Sequence, residues 1–219
     1  MRLNIGKDSF SFDKRLFFLV QCSLLVITSF FTKEMFLTNE FYYENFSEQI
    51  SFNEINRAIG FQNKWGWLGY LLVPIFYALK FSITASMLFI GVFFLELKYS
   101  FKRLFQIAMI AEAIFLIPLV LKIAWFAFFQ TDFTLEDFTS FYPLSLQNIF
   151  IGNPVEPWFL YPLQVVNVFE LGYWFVLAAG ISMAFKEDFY NSFSLVVKSY
   201  GLGLLLWVTL MIFLTLNFS

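Results

Sequence analysis

The chain has 219 residues, 59% of them hydrophobic and 14% charged, with a net charge of −2. Such long uncharged runs exclude a soluble or disordered chain, and no polar stretch is long enough to make a second domain. A single cysteine, Cys22, excludes a disulfide framework and a CxxC redox site, and the absence of histidine removes the commonest general base and metal ligand.

Residues 1–15 form a polar arm carrying Arg2, Lys7, Lys14 and Arg15. The apolar run 16–37 ends without a small-x-small cleavage site and reads as an uncleaved first span, with Lys33 and Glu34 reaching back to the interface. An outer loop, 38–65, follows and is acidic (Glu40, Glu44, Glu48, Glu54). Ser51 and Glu54 have the spacing of a capping box. That segment is either a short surface helix stopping at Gly60 or an ordinary solvated loop. The second span, 66–97, carries Lys80 near its middle and is longer than a bilayer needs. It either tilts and protrudes or breaks near Pro74. Trp65, Trp67 and Tyr70 make an interfacial belt, and Ser82 with Ser86 makes a small-xxx-small seat for a neighbouring helix.

Lys98, Lys102 and Arg103 form a basic turn before the third span, 105–129, which contains Glu112, Pro118 and Lys122. The outer loop 130–157 holds Asp132, Glu136, Asp137 and Glu156 and no Lys or Arg, and Thr134 to Asp137 has the form of a helix cap. Tyr142-Pro143-Leu144 with Asn148 is echoed by Tyr161-Pro162-Leu163 with Asn167. We read the echo as shared helix-start chemistry, since Pro suits a first helical turn. The fourth span, 158–185, contains Glu170 and a close-approach pair, Gly180 and Ala184. A short amphipathic connection, 186–198, leads to the fifth span, 199–216.

The expected fold is all-α: a single polytopic transmembrane bundle of five helices. Nine of the 14 Lys and Arg residues fall on the N-terminal side, against Lys33, Arg57 and Lys64 on the other. The positive-inside rule then places the N-terminus in the cytoplasm and the C-terminus outside. The 34 phenylalanines suit lipid-facing positions and an AT-rich genome better than a dedicated ligand cage.

Four charges lie well inside the spans: Lys80, Glu112, Lys122 and Glu170. At 1.5 Å per residue, Lys80 lies roughly 20 Å from the outer end of its span, Glu112 roughly 12 Å from the inner end, and Glu170 roughly 12–18 Å from the outer end. In a core about 30 Å thick all three fall near the midplane, which predicts a Lys80–Glu112–Glu170 cluster. Lys122 lies higher and either snorkels or meets the loop of Glu136 and Asp137. The cluster is open to two readings: a proton or ion relay or polar substrate site, or a pin that holds helices in register. No nucleophile–base pair, phosphate loop or metal-ligand spacing is present, so no enzyme, cofactor or metal is expected. The basic patches are too sparse for nucleic acid. The expected partners are the lipid bilayer and another membrane protein or a second copy of the chain.

Ala111-Glu112-Ala113-Ile114 through Ile117-Pro118-Leu119, and Val168-Phe169-Glu170-Leu171-Gly172-Tyr173-Trp174 through Gly180-Ile181, resemble the third and fourth spans of bacterial members of the Yip family. The resemblance implies five spans, a cytoplasmic N-terminus and an outside C-terminus, in a bacterial inner membrane. The chain lacks the DLYGP-like segment and long cytoplasmic domain of eukaryotic members, so small-GTPase binding is not carried over. The leading expectation is a non-enzymatic membrane scaffold or partner-binding subunit. The alternative is a small transporter or ion-coupled permease component using the midplane charges.

Overall fold

A computed structural model describes residues 13–97, 99–150 and 155–218. Arg2 and Lys7 of the arm, and Lys98 of the basic turn, lie outside the described residues. Every regular element among them is helical. Five helical stretches are long and apolar enough to cross a membrane: Lys14–Phe36, Phe52–Phe94, Phe101–Phe128, Val168–Phe185 and Phe189–Phe218.

The first span is α1 (Lys14–Phe36), started by Asp13, whose carboxylate accepts from the Arg15 amide at 2.9 Å. A short α2 (Asn39–Phe46) follows. The capping box forms as the spacing predicts, with Glu54 reaching back to the Ser51 amide at 3.1 Å. The helix it opens does not stop at Gly60, however. It runs on as α3 (Phe52–Phe94), so the separate short helix and the span starting at 66 are one element. An interior glycine costs only about 1 kcal/mol relative to alanine, too little to end a helix with strong helical sequence on both sides. The 43 residues make about 64 Å of helix, and α3 stands well clear of a bilayer at its polar end. Pro74 lies inside α3 without ending it.

The third span is α4 (Phe101–Ala111), a 3₁₀ turn (Glu112–Phe115) and α5 (Leu116–Phe128). Pro118 has no amide for Ile114 and its ring crowds that carbonyl, which is why the winding changes in the turn just before it. The expected cap at Thr134 forms and starts α6 (Leu135–Ser140).

The fourth span differs from its expected bounds. It is divided into α7 (Pro157–Val165) and α8 (Val168–Phe185), separated at Val166 and Asn167. Neither echoed proline starts a helix. Pro157 takes the first position of α7, Pro162 sits inside it, and Asn167 caps α8. The two echoed segments instead meet: Leu146 donates its amide to Val166 O at 3.0 Å, and Val168 donates to Leu144 O at 3.2 Å. The turn that makes this possible holds Leu144 at φ 54°.

The fifth span starts ten residues earlier than expected. Lys186, left-handed at φ 58°, closes α8, and Asp188 caps α9 (Phe189–Val196) directly. A π turn (Val197–Gly201) then leads into α10 (Leu202–Phe218). The three-residue link forces α8 and α9 into a close pair, with Phe175 stacked on Phe193 at 5.0 Å.

The core is a stripe of α3 (Phe81, Ala85, Leu88, Val92) packed against α4, α8 and α9. Those positions recur at helical spacing, so they share one face. That register turns Ser86 outward and leaves Ser82 half-buried, with both hydroxyls bonded to their own helix at 2.7–2.8 Å. Gly180 and Ala184 face α4 as expected: Gly180 lies against Ile107, and Arg103 donates to the Ala184 carbonyl at 3.1 Å. A second cluster, Phe36, Phe126 and Phe138, joins α1, α5 and α6.

A Cβ on Gly180 would come within 2.6 Å of Ile107 Cγ2, whereas one on Gly69 meets nothing within 4 Å. Gly180→Leu is expected to cost about 1–3 kcal/mol. Thermal unfolding in detergent would show a lowered midpoint for that variant and an unlowered or raised one for Gly69→Leu, which removes a helix-interior glycine.

Candidate functional site

Lys80 and Glu112 form an ion pair between Nζ and Oε1. Glu112 is the first residue of the 3₁₀ turn, and its side chain is fully buried. Lys80 is different. Its side chain is 52% accessible, and its ammonium also lies 4.6 Å over the Phe115 ring. The pair is therefore open on one side at the surface of the bundle.

Glu170 sits in the first turn of α8, just beyond the break. It does not pair directly with Lys80, but the two are close enough to interact electrostatically, as are Glu170 and Glu112. Glu170 Oε1 instead accepts two hydrogen bonds of 2.9 Å, from Trp174 Nε1 and from the Tyr200 hydroxyl. Tyr200 belongs to the π turn. Three groups of the site thus project from places where a helix departs from regular α geometry, Glu112 from a 3₁₀ turn, Tyr200 from a π turn and Glu170 from beside a helix break, while Lys80 and Trp174 project from regular α-helix.

Asn167 holds that break together. Its Oδ1 accepts from the Glu170 amide at 2.8 Å, while its Nδ2 donates to the carbonyls of Gln164 and Val165 at 2.9 and 3.0 Å. These are backbone groups that an interrupted helix leaves without partners, and in an apolar slab each would otherwise be costly.

Glu112 Oε2 is buried without a hydrogen-bond partner among the described residues. Around it stand hydroxyls that the sequence reading did not weigh. Tyr173 is almost fully buried, donates to Thr84 Oγ1 at 3.3 Å, and packs its ring 5.1 Å from Phe115 and 5.3 Å from Tyr200. Tyr77 packs edge-on against Phe81 of the same core at 5.5 Å. A tyrosine among so many aromatics carries no positional signal in one dimension. Its hydroxyl counts as part of a site only once folding aims it at a carboxylate.

Lys122 neither reaches the acidic loop's carboxylates nor pairs with any acid among the described residues. It lies 4.5 Å over the ring of Phe138 in α6, in a depression shared with Thr28, Ser29 and Thr32. Asp137 is occupied by the Thr134 cap.

Two carboxyl groups beside one ammonium in an apolar bundle leave one acid, Glu170, without an ion-pair partner and one oxygen, Glu112 Oε2, without a hydrogen bond. That arrangement can take up a proton or a small cation. No family model matches the sequence, and no curated protein or solved structure matches it.

Removing one partner of a buried ion pair typically costs about 3–5 kcal/mol, because the other charge is left uncompensated. Lys80→Met strands a buried carboxylate, so it should destabilise strongly. Glu112→Gln keeps an amide oxygen that can still accept from the ammonium, so it should destabilise less. The double variant Lys80→Met/Glu112→Leu should recover most of the loss. Denaturant titrations of the three purified variants would check this order.

Proposed function

We propose that this is a non-enzymatic, multi-pass membrane protein whose Lys80–Glu112–Glu170 site takes up and releases a proton or small cation. It would act as a small transporter or as a component of an ion-coupled permease. The observation that carries the reading is the convergence of three irregular helix segments on one carboxylate site. Broken or rewound helices place backbone and side-chain polar groups at membrane depth, and such irregularity is tolerated only where protein or a cavity covers it. A pin holding two regular helices together would need none of this.

A second reading, the scaffold or partner-binding subunit, is supported by the open face of α3. Lys80 and Ser86 share that side with the exposed Ile83 and Ile90. A charge at bilayer depth costs at least about 2.5 kcal/mol, so a second copy or another membrane protein covering Lys80 would be stabilising. The two readings are compatible if that partner completes the ion site.

Kinship with the Yip family, a bacterial inner membrane and a cytoplasmic N-terminus belong to the same proposal. They rest on the residues of the third and fourth spans and on the bias of Lys and Arg toward the N-terminal side.

Proteoliposomes loaded with a pH-sensitive dye test the transport reading. Wild-type protein should dissipate an imposed proton or cation gradient, and Glu112→Gln and Glu170→Gln should return the rate to that of empty liposomes while remaining folded. Wild-type vesicles no leakier than empty ones would leave the scaffold reading standing, to be pursued by purification in mild detergent. Orientation is checked separately in a Cys22→Ala background. A membrane-impermeant maleimide applied to intact cells should label Glu136→Cys and spare Lys102→Cys.

A further inference from the structure

We infer that a groove between α1 and α4, at the end of the bundle where both helices begin, binds one anionic phospholipid. The groove is open on one side and has a volume of about 620 Å³. Small-molecule sites fall at about 300–1,000 Å³. Its walls are apolar, formed by Phe18, Phe105 and Met109, and its rim carries Lys14, Arg15 and Lys102.

The charges at that rim are unbalanced. No Asp or Glu lines the groove. Asp13 stands nearest in sequence, but its carboxylate is turned to the amides of Arg15 and Leu16. Among the described residues the Lys80–Glu112 contact is the one ion pair, so none of the three rim cations is paired with a carboxylate there. The start of α4 adds to the field. Ser100 occupies its cap position without making a side-chain cap bond, so the first amides of α4 point out beside Lys102.

Charge complementarity and wall chemistry together select the occupant. Three cations at two adjoining helix starts call for a phosphate. Apolar walls continuous with the exposed Leu19 and Phe101 call for acyl chain beneath it. A free phosphate leaves the walls unfilled, and a zwitterionic headgroup brings its own cation to a basic rim. Basic pockets between transmembrane helices recognise anionic headgroups by this combination. The groove is separate from the Lys80–Glu112–Glu170 site and does not depend on any reading of it.

The test uses the full-length protein in detergent, with binding followed by thermal shift and by native mass spectrometry. Three probes are compared: phosphatidylglycerol, phosphatidylcholine with the same acyl chains, and inorganic phosphate. Phosphatidylglycerol should stabilise saturably, with one molecule retained per chain, and the other two should not. Each basic residue near an anionic group contributes about fivefold in affinity, so Lys14→Gln/Arg15→Gln/Lys102→Gln should bind on the order of 100-fold more weakly. Leu19→Trp fills the groove and keeps every charge, and it should lose binding while its lipid-free melting point stays in place. Equal stabilisation by phosphatidylcholine would overturn the inference in favour of simple acyl filling. Stabilisation by phosphate alone would replace the lipid with a free anion. Undiminished binding by Leu19→Trp would show general surface electrostatics rather than a groove.

Discussion

An ammonium and a carboxylate facing each other inside an apolar bundle constrain everything around them. Glu112 is fully buried, and without Lys80 its charge would stand alone in a medium that cannot solvate it. The pair ties α3 to the middle of the third span. Sliding either helix by one turn, about 5.4 Å, would separate the charges, so one contact fixes their register. The small residues follow from that register. Ala85 and Ala108 line the contact, and Gly180 brings α8 onto Ile107.

The irregular turns share one physical logic. A regular α-helix satisfies its own backbone, which is why spans are normally regular. Here the third span rewinds before Pro118, the fourth is interrupted at Val166 and Asn167, and the fifth widens at Val197–Gly201. Each departure frees backbone groups that something must satisfy. Asn167 does this with one side chain, and the segment 144–146 does it with two backbone hydrogen bonds. Asn167, which closes the break, also accepts from the amide of Glu170, one of the two site carboxylates. Local strain and the polar site are therefore built from the same residues.

Much of this was legible in one dimension, and the exceptions are instructive. Lys80, Glu112 and Glu170 could be grouped from the sequence because depth in a span is simply residue count times rise, although depth does not say which acid takes the lysine. The Ser51–Glu54 and Thr134–Asp137 caps were readable because capping is local. Gly60 misled because a weak helix residue was weighed without the strong sequence beyond it. The proline echo misled because Pro143 and Pro162 mark where two segments meet in space, which spacing alone does not encode. Ser86 faces away from the core, and a small-residue pair does not by itself say which face of its helix the core will take.

Sequence alone determined that this chain is a bundle of apolar helices, roughly where the spans lie, and that three charges share a common depth. Those properties follow from hydropathy and rise per residue, which are additive along the chain. Only tertiary structure decided which acid pairs with the lysine, that Glu170 is held by Trp174 and Tyr200, and that the fourth span is broken. These depend on the rotation of each helix about its axis and on where its winding changes. Both are set by packing against neighbours distant in sequence, and no local pattern carries them.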